Sequence, residues 1–443
     1  MSQNFAEMLV DGHRILPSLL ADIEAARASV HISVFLFFRD PIGEEIADAL
    51  VRKAAQGVTV RVLLNVAKTA MGDPFSTGEK EMMKNDPSVE YDPTDVKPLC
   101  KRLAAAGVLV HDTNIDYDAD PPGISPRLRS IAARVRSAIA IDDVHIDHRK
   151  IIIIDGRIGY CGGANLGAQY LHHDAFDPSK DARVEAAERK ARSQREPWWK
   201  WHDSLTRFEG PIVQRLEAAF HERWSLDGGE PYESESVAGA TRAAESPRGF
   251  RLYAAEVHCN EPNPRPNDVR ELYLRLIAGA RRSIFIENPY PYHPAIIDSL
   301  CRVKAARPEV RITLIAPARV HNDNSFSQDA QEHEYERLIA QGVEVHEYQH
   351  HFTHLKTAVF DERFSIHGST NLNYRSLEDD KDFELVVLVD SSELGRWMLE
   401  NVRDADLRCS RRITREELRE GVAGIRKRMR HPWTLALCSQ RML

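Results

Sequence analysis

The stretch HRKIIIIDGRIGYCGGAN (His148–Asn165) is matched later in the chain by HLKTAVFDERFSIHGSTN (His354–Asn371). Each stretch has a lysine two residues after its histidine, an aspartate five residues after that lysine, and an asparagine seventeen residues after the histidine. The apolar run that follows each lysine predicts a buried β-strand. Because all four positions keep register, the two stretches indicate an internal duplication of the chain.

Three further segments of the first half recur in the second half in the same order. The pairs are IEAARASVHISVFLF from Ile23 with IAGARRSIFIENPYP from Ile277, GVTVRVLLN from Gly57 with PEVRITLIAP from Pro308, and RLAAAGVLVHDT from Arg102 with RLIAQGVEVHEY from Arg337. In each half, helical periodicity alternates with short β-rich runs. This pattern predicts two pseudo-symmetric α/β/α lobes, with mostly parallel sheets and helices on both faces.

The boundary between the lobes is predicted from composition. Residues 226–249 are rich in Gly, Ser, Glu and Pro, which is typical of a linker. The first lobe then covers residues 1–225, with insertions near 66–145 and 171–197, and the second covers 250–443 with a C-terminal helical tail.

Composition restricts the class of protein. The chain has 443 residues, a formal net charge of −8 and a pI of about 6.2, which disfavours a duplex-DNA binder that depends on a basic face. Its six cysteines are scattered without a CxxC pair, which predicts reduced thiols in a cytoplasmic setting. We find no signal peptide and no apolar run long enough to span a bilayer, so we expect any membrane contact to be peripheral.

The repeated motif suits phosphate chemistry. Residues two apart on a strand face the same side, so His148 projects with Lys150, and His354 with Lys356. The ammonium supplies positive charge, and the imidazole supplies a nucleophile or a proton. The downstream asparagines can donate to phosphoryl oxygens, and a downstream acid in each half can orient a histidine. The asparagines are Asn165 and Asn371, and the acids are Asp203 and Glu384.

A doubled HxKxxxxD followed by GGAN or GSTN resembles the phospholipase D superfamily. The segments DGHRILPSLLADIEAARASVHISVFLF and GSTNLNYRSLEDDKDFELVVLV are most similar to bacterial cardiolipin synthases and related phosphatidyltransferases. The resemblance implies one active site at the lobe interface that uses no metal and no cofactor. It also implies that His148 is the nucleophile and His354 the general acid/base.

The resemblance assigns roles to the remaining motif residues. Asp203 would orient His148, and Glu384 would orient His354. The phosphate would be held by Lys150, Lys356, Asn165, Asn371 and Ser369. Asp155 and Asp361 lie seven residues beyond their histidines, on the opposite strand face, and are predicted to be structural. Pairs and clusters of histidines such as His350 and His351, or His172 and His173, lack the spacing of a zinc site.

The expected activity is phosphatidyl transfer from a phospholipid to an alcohol, as in cardiolipin synthesis, at the inner face of the membrane. Hydrolytic phospholipase D activity, a nuclease of the same superfamily and a non-catalytic lipid-binding scaffold remain alternatives. We expect no nucleic-acid partner, and the oligomeric state stays open. Two segments could contact an anionic membrane: the arginine-bearing helical pattern from Ser125 to Ile139, and the basic C-terminal stretch Ile425–Trp433.

Overall fold

The structure, a computed structural model, is described for most of the chain. The described residues are 3–66, 69, 94–113, 145–175, 200–232, 248–260, 267–322, 325–378 and 381–418.

The first lobe has an eight-stranded sheet. Its strands are β1 (Phe5–Val10), β2 (Ser29–Val34), β3 (Thr59–Leu64), β4 (Leu109–Asp112), β5 (Ile151–Ile154), β6 (Ile158–Gly162), β7 (Ser204–Glu209) and β8 (Phe250–Arg251). Its helices are α1 (Gly12–Ala25), α2 (Pro41–Ala55), α3 (Lys97–Ala105) and α4 (Ile212–Leu226).

The second lobe repeats this plan with a second eight-stranded sheet. Its strands are β9 (Ala254–Asn260), β10 (Ser283–Glu287), β11 (Arg311–Pro317), β12 (Glu344–Tyr348), β13 (Thr357–Phe360), β14 (Phe364–Gly368), β15 (Glu384–Asp390) and β16 (Ser410–Arg412). Its helices are α5 (Asp268–Gly279), α6 (Pro294–Ala306), α7 (Ser325–Gln341), α8 (Tyr374–Leu377), α9 (Ser392–Met398), a π-helix (Leu399–Arg403) and α10 (Asp404–Arg408).

The two-lobed α/β architecture is confirmed, but the prediction of mostly parallel sheets is wrong. The first sheet has the order β4-β3-β2-β5-β6-β7-β1-β8, and only the β2–β3 and β3–β4 pairs are parallel. The second sheet is built in the same way, with parallel pairs only between β10 and β11 and between β11 and β12. The cause is the short link after the motif strand: β5 turns into β6 through Asp155, Gly156 and Arg157, which is too few residues for a parallel crossover.

The predicted lobe boundaries need two corrections. Strand β8 pairs with β1 of the first sheet, so the second lobe begins at β9 and not at residue 250. Residues 94–113, inside the predicted insertion 66–145, contribute α3 and β4 to the first lobe, because β4 adds a parallel strand beside β3. Most of both predicted insertions lies outside the described residues, as do Ser125–Ile139 and Ile425–Trp433.

Three large apolar cores organise the part of the chain that the structure describes. One lies beneath α1, α2 and α3 in the first lobe, and another lies beneath the helices of the second lobe. The third joins the lobes: Ile153 and Phe208 of the first sheet share it with Phe285 and Val387 of the second. Among the described residues, no helix combines the length and apolarity needed to cross a membrane.

Candidate active site

Two short backbone contacts between the lobes create the site. The amide of His148 donates to the carbonyl of Phe383 at 3.0 Å, immediately before β15. In the pseudo-symmetric contact, the amide of His354 donates to the carbonyl of His202 at 2.7 Å, two residues before the start of β7. Each motif histidine is therefore held beside the residue that precedes an acid of the opposite lobe.

Each histidine binds the acid of the other lobe. His148 Nδ1 lies 2.9 Å from Glu384 Oε1, and His354 Nδ1 lies 2.7 Å from Asp203 Oδ2. The partners predicted from the sequence, Asp203 for His148 and Glu384 for His354, are therefore wrong. Their exchange follows from the backbone contacts above, which place each histidine against the opposite lobe. Both acids are fully buried, whereas the side chains of His148 and His354 remain 13% and 5% exposed.

The two motif lysines bring positive charge to both histidines. Lys150 Nζ donates to the carbonyl of His148 at 2.7 Å, and Lys356 Nζ donates to the carbonyl of His354 at 2.8 Å. Burial and then the charge of Lys150 lower the pKa of His148; burial and then Lys356 lower the pKa of His354 well below its usual range. Burial also lowers the pKa of Lys150 to about 8. Because each lysine acts on both histidines, the four side chains form one site that favours a bound anion.

The two acids differ in their hydrogen bonds. Burial would raise the pKa of Glu384, but His148 and Lys150, together with a hydrogen bond from Ser369, lower it below the usual value. Ser376 Oγ also donates to Glu384 Oε1 at 2.6 Å. For Asp203 burial prevails and raises its pKa to about 7, although the amide of Ser204 donates to it at 2.7 Å. Glu384 is thus a fixed carboxylate, and Asp203 is a carboxyl that titrates near neutrality.

The GGAN and GSTN loops explain this difference. The hydroxyl of Ser369 donates to Glu384 and so supports this acid, while its role as a phosphate ligand stays a prediction. At the corresponding Gly163, an added Cβ would lie 2.2 Å from Asp203 Oδ1. The GSTN loop has room for the side chain of Ser369, whereas the GGAN loop has no room for a side chain at Gly163. The reason is that aspartate is shorter than glutamate, so the carboxylate of Asp203 lies closer to the backbone of its loop.

The two asparagines predicted to bind phosphate are both buried. Asn165 Oδ1 accepts from the amide of Leu36 at 3.0 Å, which leaves its amide nitrogen as the end able to donate to a ligand. Oδ1 of Asn371 is buried and has no hydrogen-bond partner within the part of the chain that the structure describes.

The motif aspartates lie away from the histidines. Asp155 accepts hydrogen bonds from the amides of Arg27, Ala28 and Ser29, at 2.7–3.1 Å. Asp361 repeats this arrangement with the amides of Arg281, Arg282 and Ser283. Both aspartates therefore tie the end of the motif strand to the start of a neighbouring strand.

Aromatic rings surround His354, and sequence reasoning missed them. The ring of Trp201 lies 4.8 Å from that of His354, with Tyr170 at 5.6 Å and Phe352 at 5.7 Å. On the other side, Phe35 lies 5.3 Å from His148. Trp201 and Phe352 stand two residues before Asp203 and His354, respectively, and Phe35 lies within a repeated segment; these positions were the available signal.

The chain is similar to known proteins over most of its length. The family model described as "Cardiolipin synthase, PLD-like domain" matches residues 19–175 and 273–404, more than half of the chain. Cardiolipin synthase 1 of Bacillus anthracis is 24% identical over 394 residues, covering 87% of this chain and 63% of that protein. Cardiolipin synthase 1 of Bacillus cereus is 24% identical over 379 residues, covering 84% of this chain and 61% of that protein. The chain thus spans less than two thirds of the length of these relatives.

The fold is also found in a solved structure. The phosphatidylserine synthase of Haemophilus influenzae superposes with a TM-score of 0.60 at 12% sequence identity, covering 99% of this chain and 97% of that one. With the doubled motif and the matching family model, this places the chain in the family of cardiolipin synthase, phospholipase D-like domain proteins.

Proposed function

We propose that this chain is a phosphatidyltransferase, which replaces one alcohol of a phospholipid phosphodiester by another. The observation that carries the proposal is the pair of histidines, each with Nδ1 bonded to a buried acid of the opposite lobe. This hydrogen bond fixes the tautomer, so that Nε2 of each ring is the atom available for chemistry.

The first step forms a phosphohistidine. Nε2 of His148 attacks phosphorus, and the bond from phosphorus to the oxygen of the leaving alcohol breaks. That oxygen takes the proton from Nε2 of His354. The negative charge of the bound phosphodiester offsets the two lysines, which raises the pKa of His354 and allows it to carry this proton.

The second step releases the new lipid. An incoming alcohol gives its proton to Nε2 of His354 and attacks phosphorus, and the bond from phosphorus to His148 breaks. Lys150, Lys356 and the amide groups of the two loop asparagines stabilise the phosphoryl oxygens throughout.

The acids support this assignment of roles. Glu384 keeps its charge and holds His148 in the tautomer with a free Nε2 lone pair, as a nucleophile requires. Asp203 has a pKa of about 7, so its pair with His354 gains and loses a proton near neutral pH, as an acid/base requires.

The substrate class is inferred from the family and from the aromatic rings. The curated relatives are named cardiolipin synthases, and Trp201, Tyr170 and Phe352 offer apolar contacts beside His354. A hydrolytic phospholipase D would differ only in using water for the second step. A net charge of −8 disfavours the superfamily nuclease, and the intact histidine–acid pairs disfavour a non-catalytic scaffold.

Mass spectrometry of the lipids formed from phosphatidylglycerol liposomes tests the proposal. We expect cardiolipin and glycerol from the wild type and from the control His173→Ala, an exposed histidine paired with Glu45, and neither product from His148→Ala. Formation of phosphatidic acid without cardiolipin would show that the enzyme hydrolyses the phospholipid and does not transfer the phosphatidyl group. No turnover of any phospholipid by the folded wild type would contradict a phospholipid substrate.

We further propose peripheral contact with an anionic membrane at its inner face, through the basic segments of the sequence. The C-terminal segment follows a capping box in which Thr414 and Glu417 exchange hydrogen bonds, and Leu418 still packs in the core of the second lobe. Truncation after Leu418 retains that packing and removes IRKRMRHPW, so it is expected to weaken sedimentation with phosphatidylglycerol vesicles. Unchanged binding would contradict this contact.

A further inference from the structure

A second cluster of chemically active side chains lies at the seam between the lobes, and the proposed reaction does not use it. His202, Glu287 and Asp406 come from three distant parts of the chain and are each at least 95% buried. One nitrogen or oxygen atom from each lies within 4.8 Å of the other two. His202 belongs to the first lobe, and the two acids belong to the second.

The ring of His202 is held in a fixed orientation. Its Nδ1 lies 2.7 Å from Asp11 Oδ1, and its plane stacks on Tyr348 with the ring centroids 4.9 Å apart. With the Nδ1 proton donated to Asp11, Nε2 is directed at the acids and lies 3.2 Å from Asp406 Oδ1. A carboxylate that accepts from one nitrogen of a histidine while the other binds a metal is a common arrangement in metalloproteins.

The two acids present oxygens that lack a donor. Thr353 Oγ1 donates to Glu287 Oε1 at 2.6 Å, so Oε2 is the oxygen of this carboxyl that has no donor. Within the described part of the chain, neither Oε2 of Glu287 nor Oδ2 of Asp406 has a hydrogen-bond partner. A buried carboxylate without a partner is costly, so a cation between these oxygens would stabilise the fold.

We propose that His202, Glu287 and Asp406 bind a divalent transition-metal ion, with zinc the best fit. One imidazole and two carboxylates suit zinc, whose ligands lie at about 2.0–2.2 Å. Two ligand atoms at those distances and at the tetrahedral angle are about 3.3 Å apart, close to the observed separation of Nε2 and Oδ1. The two carboxylate charges balance the charge of the ion. This departs from the sequence-based expectation of no metal.

The position of the ion gives it a structural role. The carbonyl of His202 accepts from the amide of His354, and His202 is followed directly by Asp203. An ion held by both lobes therefore clamps the backbone contact that positions the His354–Asp203 pair. At the pseudo-symmetric place before Glu384 stands Phe383, packed under Arg149, so only one of the two contacts has such a cluster.

Protons are the competing occupants. Burial, the charge of Asp406 and a hydrogen bond between the two carboxyl groups, which needs a proton on one of them, raise the pKa of Glu287 well above its usual range. Burial opposes protonation of His202, but Asp11, Tyr348 and Asp406 raise its pKa overall. The negative charge that favours these protons also favours a metal ion. The measured metal content therefore decides whether the cluster holds protons or a metal ion.

The test is the metal content of the full chain, purified without a metal-affinity step or chelator. We expect about one zinc per chain by elemental mass spectrometry. Removing the ion should lower the melting temperature, and adding zinc back should restore it. Glu287→Gln and Asp406→Asn should each lose most of the zinc. Glu347→Gln, a buried acid paired with Arg411 outside the cluster, is the matched control and should keep it.

Two results would overturn the site. The first is a wild type that carries no metal, does not bind added zinc or manganese and is not stabilised by either ion. That result would mean that the three side chains share protons and hold no metal ion. The other is full zinc content in both Glu287→Gln and Asp406→Asn. Neither readout depends on lipid turnover, so failure of this proposal is separate from failure of the proposed activity.

Discussion

At the scale of single residues, the sequence identifies the reactive groups but not their partners. The histidines and lysines were recognisable from the repeated spacing, and the acids from their place downstream of each motif; the structure brings all of them into one site. The exchange of acids between His148 and His354 could not be read from the sequence, because it depends on how the two lobes face each other. His202 was passed over for a similar reason, since Glu287 and Asp406 are more than eighty residues away along the chain.

The difference between the two acids predicts opposite pH effects on stability. The folded protein keeps a proton on Asp203 up to a pKa of about 7, whereas the ordinary value is 3.8. The wild type therefore loses stability as the pH rises between these values, and asparagine removes this loss. The quantity to compare is the melting temperature of Asp203→Asn minus that of the wild type. This difference is expected to be more positive at pH 8 than at pH 4.5. Transfer activity should fall by about 100-fold or more, because His354 loses the carboxylate that orients it.

Glu384→Gln is the matched comparison in the other pair. The lowered pKa of Glu384 means that its carboxylate stabilises the fold above its usual pKa, and this contribution is lost as the pH falls through the folded-state value. This variant should therefore be less stable than wild type, with the larger deficit at pH 8. Scanning fluorimetry at both pH values measures the two trends. The same trend in both variants would contradict the assigned protonation states.

At the scale of elements, alternation and apolar runs located the strands, but they did not give the direction of the pairs. Strand β5 reads as a buried run of the kind found in parallel sheets, yet its neighbours β2 and β6 both pair with it antiparallel. The length of the link DGR between β5 and β6 was the usable signal. In the same turn, Asp155 has φ 52°, a conformation that aspartate and asparagine tolerate better than most residues.

Loss of the Asp155 carboxylate should loosen this turn without affecting the chemistry. Asp155→Ala leaves the amides of Ala28 and Ser29 without their acceptor and places alanine at positive φ. We expect the free energy of unfolding to fall by about 1–3 kcal/mol in urea titrations. Asp155→Asn keeps an oxygen acceptor and the favourable φ, so it should lose less. Equal losses in the two variants, or a specific loss of kcat in the folded alanine variant, would show that Asp155 does something other than cap the turn.

At the scale of the whole molecule, duplication produced two lobes that depend on each other for the proposed site. Each histidine–acid pair takes its histidine from one lobe and its acid from the other. The repeat predicted two similar lobes but not the apolar core between them, because the residues that form it, such as Ile153 and Phe285, read simply as buried strand positions. The two lobes also differ at equivalent positions near the seam. Ser369 of the second lobe corresponds to Gly163 of the first, and His202 of the first corresponds to Phe383 of the second.

The shared core predicts that the two lobes unfold together. Phe360 is 1% exposed and belongs to the second lobe's own core, so Phe360→Ala should cost about 3–5 kcal/mol of stability. If the seam core couples the lobes, calorimetry will show one transition at a lower temperature. Hydrogen exchange in β2 of the first lobe should then accelerate in parallel, although β2 does not contain or pair with Phe360. Two separate transitions, or unchanged exchange in β2, would mean that the lobes fold independently and that the histidine–acid pairs form only on docking.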